Sequence, residues 1–289
     1  MNINNWGLET NFFESWQIIL YYNLKLAVCF TTVIRYFVHF LTMVASTAEL
    51  ERPMLRMGSI AFIAGLAIAI VSTFGFHPTG TGEELMNNPF IFGVYAEDPF
   101  WIASHIGQFA GILLIFAGGF VALFRLLAKS ESAIASALSW LGLVTAIITA
   151  SAFTILQAVD GIALKIAVNT WYAIPAGEEQ RKAVYLGVAE GLRWTEWGTQ
   201  AYYRMLSGAV ALIFGVAIAK STLLARWIGA VGIAAGVVSI AAGVVTAYVG
   251  FSSVRDPVAD LSTLIFYPWL VILGIFMWRK TREKKVITR

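Results

Sequence analysis

Cysteine is almost missing from this chain: Cys29 is the only one in 289 residues. No intrachain disulfide is possible, and thiol usage says nothing of a redox compartment. Charge is scarce as well. Asp, Glu, Lys and Arg make up 13% of the residues, where soluble domains average roughly a quarter. Soluble-enzyme signatures are absent: the sequence holds no P-loop, no GxGxxG after a strand, no HExxH and no G-x-S-x-G. No basic n-region, short apolar core and small-residue cleavage site follow in order, so no cleavable signal peptide is expected. The net charge of +3 does not indicate nucleic acid. Its basic residues cluster at the ends of apolar runs, as in "RKTREKK" at 279–285, where membrane topology alone places them.

Hydrophobic length takes the place of all this. The chain is 58% hydrophobic, with a mean hydropathy of +0.74. Runs near the ~20 residues that cross a ~30 Å hydrocarbon layer recur at 57–76, 101–125, 133–157, 199–219, 227–250 and 260–278. They predict an all-α polytopic bundle of six spans in the cell membrane: a membrane domain at 54–279, an N-terminal segment at 1–53 and a basic tail at 280–289. The segments "RLLAKSE" and "KSTLLAR", Arg52 and Arg56, and the tail all fall on one side. That bias places the C-terminus in the cytoplasm. The opposite loops carry Glu83, Glu84, Glu97, Asp98, Asp256 and Asp260.

Residues 11–46 form an amphipathic pattern, with Glu14, Gln17, Tyr21, Lys25, Thr32, Arg35, His39, Thr42 and Ser46 in one arc at about 100° per residue. An interfacial helix fits this pattern. A seventh span would need internal partners for Lys25 and Arg35, and Met54 or Met57 could mark a later start.

Within the apolar span cores there is no Asp, Glu, Lys, Arg or His. Ion-coupled transporters and proton pumps place such groups near the midplane, so that class is disfavoured, although a carrier of a neutral solute is compatible. Glycine repeats instead. Gly229, Gly236, Gly243 and Gly250 recur every seven residues, Gly232 forms GxxxG with Gly236, and Gly58/Gly65, Gly111/Gly118 and Gly208/Gly215 keep the same step. Such spacing lets two helix backbones approach closely. Pro268, inside the sixth span, removes one backbone hydrogen bond and is expected to kink it.

"STFGFHPTG" (72–80), "FWIASHIGQFAG" (100–111), "QAVDGIALK" (157–165) and "EGLRW" (190–194) resemble segments of a group of bacterial and archaeal membrane proteins. In that group a His-Pro closes the first span and a Trp-x-x-x-His opens the second. The resemblance covers roughly 54–251 and implies architecture; the group has no established activity, so no chemistry follows from it.

His77 and His105 both belong near the outer interface, because the first two spans run in opposite senses. Pro78 can simply end a helix, and His105 can cap or hydrogen-bond. A sharper reading is a shared site for a divalent metal or haem, and with it a redox enzyme; acidic groups such as Asp98, Asp160 or Glu190 would have to join a metal. Further along, Glu190, Arg193, Glu196, Gln200 and Arg204 share one helix face. This stripe either faces water or lines a polar cleft with Asp160, Gln157 and His105. The candidate ligand-binding set is therefore His105, Gln108, Gln157, Asp160, Glu190, Arg193 and Glu196. It suits a protein that binds a small ligand, or a membrane-protein partner or second copy, without catalysis and without a cofactor.

Pro175 and Gly177 supply the only strong break between Ser132 and Lys220. The third and fourth spans are thus expected to form one helical hairpin with arms of about 60 Å at 1.5 Å per residue. Counting from the cytoplasmic ends puts the membrane boundary near Thr154 and Thr199. Asp160, Lys165, Glu190, Arg193 and Glu196 then lie at or above the headgroups. Ile162, Ile166, Val184, Val188 and Leu192 are expected to seal the arms against each other.

Overall fold

Each of the six apolar runs forms a long helix in the computed structural model, which describes residues 51–77 and 82–282. The amphipathic segment at 11–46 and the end of the basic tail lie outside the described residues. The long helices are α1 (Glu51–Phe76), α4 (Trp101–Leu127), α5 (Ala133–Tyr172), α6 (Glu179–Lys220), α7 (Arg226–Val249) and α8 (Asp256–Lys280). All six are long and apolar enough to cross a membrane. Two short helices, α2 (Gly82–Met86) and α3 (Asn88–Glu97), fill the connection between α1 and α4. Local chemistry explains the boundaries. Ser132 accepts from the backbone N–H of Ala135 and starts α5, prolines stand in the first turn of α3 and α8, and α7 ends at Gly250 with φ +63°.

The hairpin is present. α5 and α6 run 40 and 42 residues, against 24 to 27 for the other four, and the turn between them holds Gly177 at φ +100°. The two arms pack side by side and stand taller than the rest of the bundle at one end, called here the hairpin end. That end also carries the last turn of α1, the first turns of α4 and α8, and the last turn of α7.

Two helices contain a π turn: Leu114–Gly119 in α4 and Ala158–Leu164 in α5. Each admits an extra residue, so positions beyond it are rotated by roughly 100° from a continuous α-helix. This corrects the expected seal. Ile162, Ile166, Val184 and Val188 are 48–63% exposed, and Leu192 is only partly buried. The arms close instead on Leu164, Ala167, Val168 and Ala189, joined by Ile91, Phe92 and Tyr95 of α3 and by Trp101. On α5 the π turn carries the 3.6-residue pattern off its assumed face. On α6 the polar stripe itself points inward: Arg193 is 5% and Glu196 3% exposed, while Val184, Val188, Trp194 and Tyr202 face outward. The water-facing reading of that stripe is therefore wrong for Arg193 and Glu196.

Glycine packing is as the spacing suggests where α6 meets α7. A Cβ on Gly208 would lie 2.7 Å from the Gly236 carbonyl, and one on Gly215 2.8 Å from the Gly229 carbonyl. The backbones are in direct contact. A Cβ on Gly65 would likewise lie 2.6 Å from the Gly111 carbonyl. Gly232 departs from the pattern, seating the ring of Trp269 from α8.

Candidate functional site

Trp101 and His105 are four residues apart at the start of α4 and therefore lie on one face of the helix. That face meets the π turn of α5. Trp101 Nε1 donates to the Asp160 carbonyl at 3.2 Å, and His105 Nε2 lies 3.0 Å from Asp160 Oδ2. Gly161 makes the approach possible, since a Cβ there would stand 2.6 Å from His105 Cβ. In an α turn the Asp-Gly pair would point elsewhere; the extra residue turns it toward α4.

The proton arrangement of this pair follows from its partners. His105 Nδ1 is 2.7 Å from the Trp101 carbonyl, and a carbonyl can only accept, so Nδ1 carries a hydrogen. One further proton lies between Nε2 and Oδ2, on either atom. Imidazolium with carboxylate and imidazole with carboxylic acid have the same total charge of zero. The buried pair is thus neutral in both forms, which limits its desolvation cost.

A second neutral pair lies nearby on α6. Arg193 donates to Glu196 Oε2 at 2.5 Å and to the Leu85 carbonyl at 3.5 Å. Its guanidinium stacks between the Tyr95 ring at 5.4 Å and the Phe251 ring at 4.3 Å. Burial pushes the Tyr95 hydroxyl above the ordinary tyrosine range, so it stays protonated. Asp160 acts electrostatically on both members of the α6 pair. Lys165, one turn past Asp160, donates to the carbonyls of Tyr95, Ala96 and Asp98. A cation thereby caps the C-terminal end of α3 and ties it to α5.

Amides extend the cluster inward. Gln157 donates to Gln108 Oε1 at 3.3 Å, Gln108 donates to Ser104 at 3.5 Å, and Ser104 donates to the Ser72 carbonyl of α1 at 2.7 Å. Of the six buried polar atoms without a hydrogen-bond partner among the described residues, three belong to these paired side chains: Asp160 Oδ1, Gln157 Oε1 and Arg193 Nε. Unmatched buried groups are rare and ask for an explanation.

Of the expected site residues, His105, Gln108, Gln157, Asp160, Arg193 and Glu196 thus come together. Glu190 does not join them; it accepts from Asn88 of α3 at 3.3 Å. Tyr95, Trp101 and Lys165 complete the cluster and were absent from the expected set. Asn-Asn-Pro at 87–89 is a helix-start signal that would have revealed α3 and with it Tyr95.

The donor set does not fit a metal or haem. His105 has both nitrogens engaged, and among the described residues no three His, Cys, Asp or Glu side chains group closely enough to hold a metal. His77 does reach His105, with ring centroids 5.1 Å apart. Trp101 contacts both rings, at 4.9 and 4.5 Å, so no gap wide enough for a porphyrin separates them.

No curated protein and no solved structure matches the chain. The Trp101-x-x-x-His105 motif and the segments at 157–165 and 190–194 all fall inside residues 99–281. A family model described as "Domain of unknown function (DUF4386)" matches those residues, well over half of the chain, and the chain belongs to that family.

Proposed function

We propose that this multi-span membrane protein binds a small, uncharged polar ligand at the hairpin end of its bundle. The reading makes it a binding protein rather than an enzyme. The observation that carries it is the set of unpartnered atoms in an otherwise paired cluster: two acceptors, Asp160 Oδ1 and Gln157 Oε1, and one donor, Arg193 Nε. The His105–Asp160 and Arg193–Glu196 pairs already cancel their own charge, and the Lys165 ammonium is taken up by three carbonyls, so the three unpartnered atoms favour an uncharged ligand. A primary amide, with two N–H donors and a carbonyl acceptor, answers all three atoms, and so does a polyol with two hydroxyls.

The same reading puts the hairpin end on the outer side of the cell membrane and the C-terminus in the cytoplasm. Its support is the basic bias of the segments at the other end, which include Arg125, Lys129, Lys220 and Arg226. The taller arms then carry the cluster at or above the headgroups, on the side of extracellular solutes.

A thermal-shift screen of the purified protein against small polyols, amides and amines tests the proposal. A hit should stabilise the wild type by mass action and lose its effect in Gln157→Leu and in Asp160→Asn. A screen without hits, or hits that act equally on Gln157→Leu, would remove the reading.

A further inference from the structure

A cavity of about 70 Å³, with polar and apolar lining, lies where α4, α6, α7 and α8 meet. The cluster at the hairpin end makes no use of it. Arg204 of α6 lines it, five residues further into the helix than Thr199. Arg204 Nε is buried and has no hydrogen-bond partner. Arg193 and Arg255 pair with Glu196 and Asp256, whereas among the described residues no carboxylate stands in ion-pair contact with Arg204, and none lines the cavity. Arg255 and Asp260 act on it only through space, with opposite sign.

The rest of the lining supplies further donors. Ser239 Oγ and Ser262 Oγ are buried and 2.7 Å apart. One hydroxyl hydrogen lies between the two oxygens, which leaves the other free to donate. Tyr267 adds a phenol. Ile115, Phe116 and Phe266 give it apolar lining. A single unmatched cation, convergent hydroxyls and apolar lining describe a receptor for an anion that has a hydrocarbon part.

We propose that this cavity binds a monocarboxylate, with the carboxylate on Arg204 and the serine pair and its carbon chain against Phe116 and Phe266. One cation balances one negative charge, so a doubly charged phosphate would stay half compensated. The volume is about that of two to three waters in the liquid, enough for a carboxylate head with a short stretch of chain. Such a group comes either from a soluble short-chain acid or from a long-chain fatty acid in the bilayer.

Equilibrium binding of radiolabelled butyrate and of oleate, to the full chain in phosphatidylcholine nanodiscs, decides between these sources. Saturable binding of one equivalent of either acid is expected. Butyrate alone identifies the soluble source and oleate alone the bilayer. Arg204→Gln should weaken binding at least about tenfold, as loss of a charge-assisted hydrogen bond requires. Gln157→Leu, which alters the hairpin-end cluster, should leave it unchanged. If Arg204→Gln does not fold, Ser239→Ala with Ser262→Ala keeps the charge and should still weaken binding several-fold. The absence of saturable binding for both acids overturns the proposal. So does wild-type affinity in Arg204→Gln or, should that variant not fold, in the double serine variant.

Discussion

His105 and Asp160 meet at 3.0 Å across 55 residues of sequence, joining the second turn of α4 to the π turn of α5. This contact and the Trp101 bond to the same residue tie the start of the second span to the tall hairpin. The pair is well shielded, with side chains 3% and 14% exposed.

Removing either partner should therefore cost stability. His105→Ala and Asp160→Ala are each expected to lose roughly 2–4 kcal/mol, the range for breaking a buried hydrogen-bonded pair. A double-mutant cycle should return a coupling of about 1–3 kcal/mol, read from unfolding titrations in detergent. Strictly additive losses would show that the two groups do not interact.

Glycine substitutions separate tight sites from open ones. Gly161→Ala forces a methyl to 2.6 Å from His105 Cβ and should destabilise by about 1–3 kcal/mol. At Gly187, also helical, a Cβ meets nothing within 4 Å. Gly187→Ala should therefore be neutral or gain up to about 1 kcal/mol from helix propensity. Equal effects at the two positions, measured in the same titration, would contradict the packing described.

Lys165 ties α3 to α5 through three carbonyls. Lys165→Met should keep the apolar stem and lose the cap, for roughly 1–2 kcal/mol. Hydrogen exchange should then rise in residues 84–98 and stay as in the wild type in α7. A uniform rise through the whole chain would mean that α3 is not a separately held element.

Topology is open to a labelling test on a Cys29→Ser background, which leaves no native thiol. Ser130→Cys should react only from the cytoplasmic side and Glu84→Cys only from outside. The reverse pattern would invert the orientation drawn from the basic segments.

Much of this fold was legible in the sequence because span length and hydropathy are properties of single segments. The hairpin could be read from a lack of breaks between Ser132 and Lys220. The types of residue in the site were legible too, since charge inside so apolar a chain marks itself. What periodicity could not reveal was direction. The seal expected at Ile162 and Val184 assumed that apolar faces turn inward, as in water. In these arms Arg193 and Glu196 turn inward, paired, and the isoleucines and valines turn out. The π turn at Ala158–Leu164 compounded the error by interrupting the 3.6-residue count. Arg204 was legible as part of the polar stripe but not as the lining of a separate cavity, since it stands one residue outside the charge-free run that begins at Met205.

That π turn has a consequence for ancestry as well as for shape. A π turn holds one residue more than the α-helix around it, which is what a single-codon insertion would add. Other members of the family should then divide by the length of this segment. Those one residue shorter would carry an unbroken α-helix, with the position equivalent to Asp160 rotated roughly 100° away from its histidine. Segment length alone would thus sort the family into chains that retain this histidine–aspartate contact and chains that never formed it.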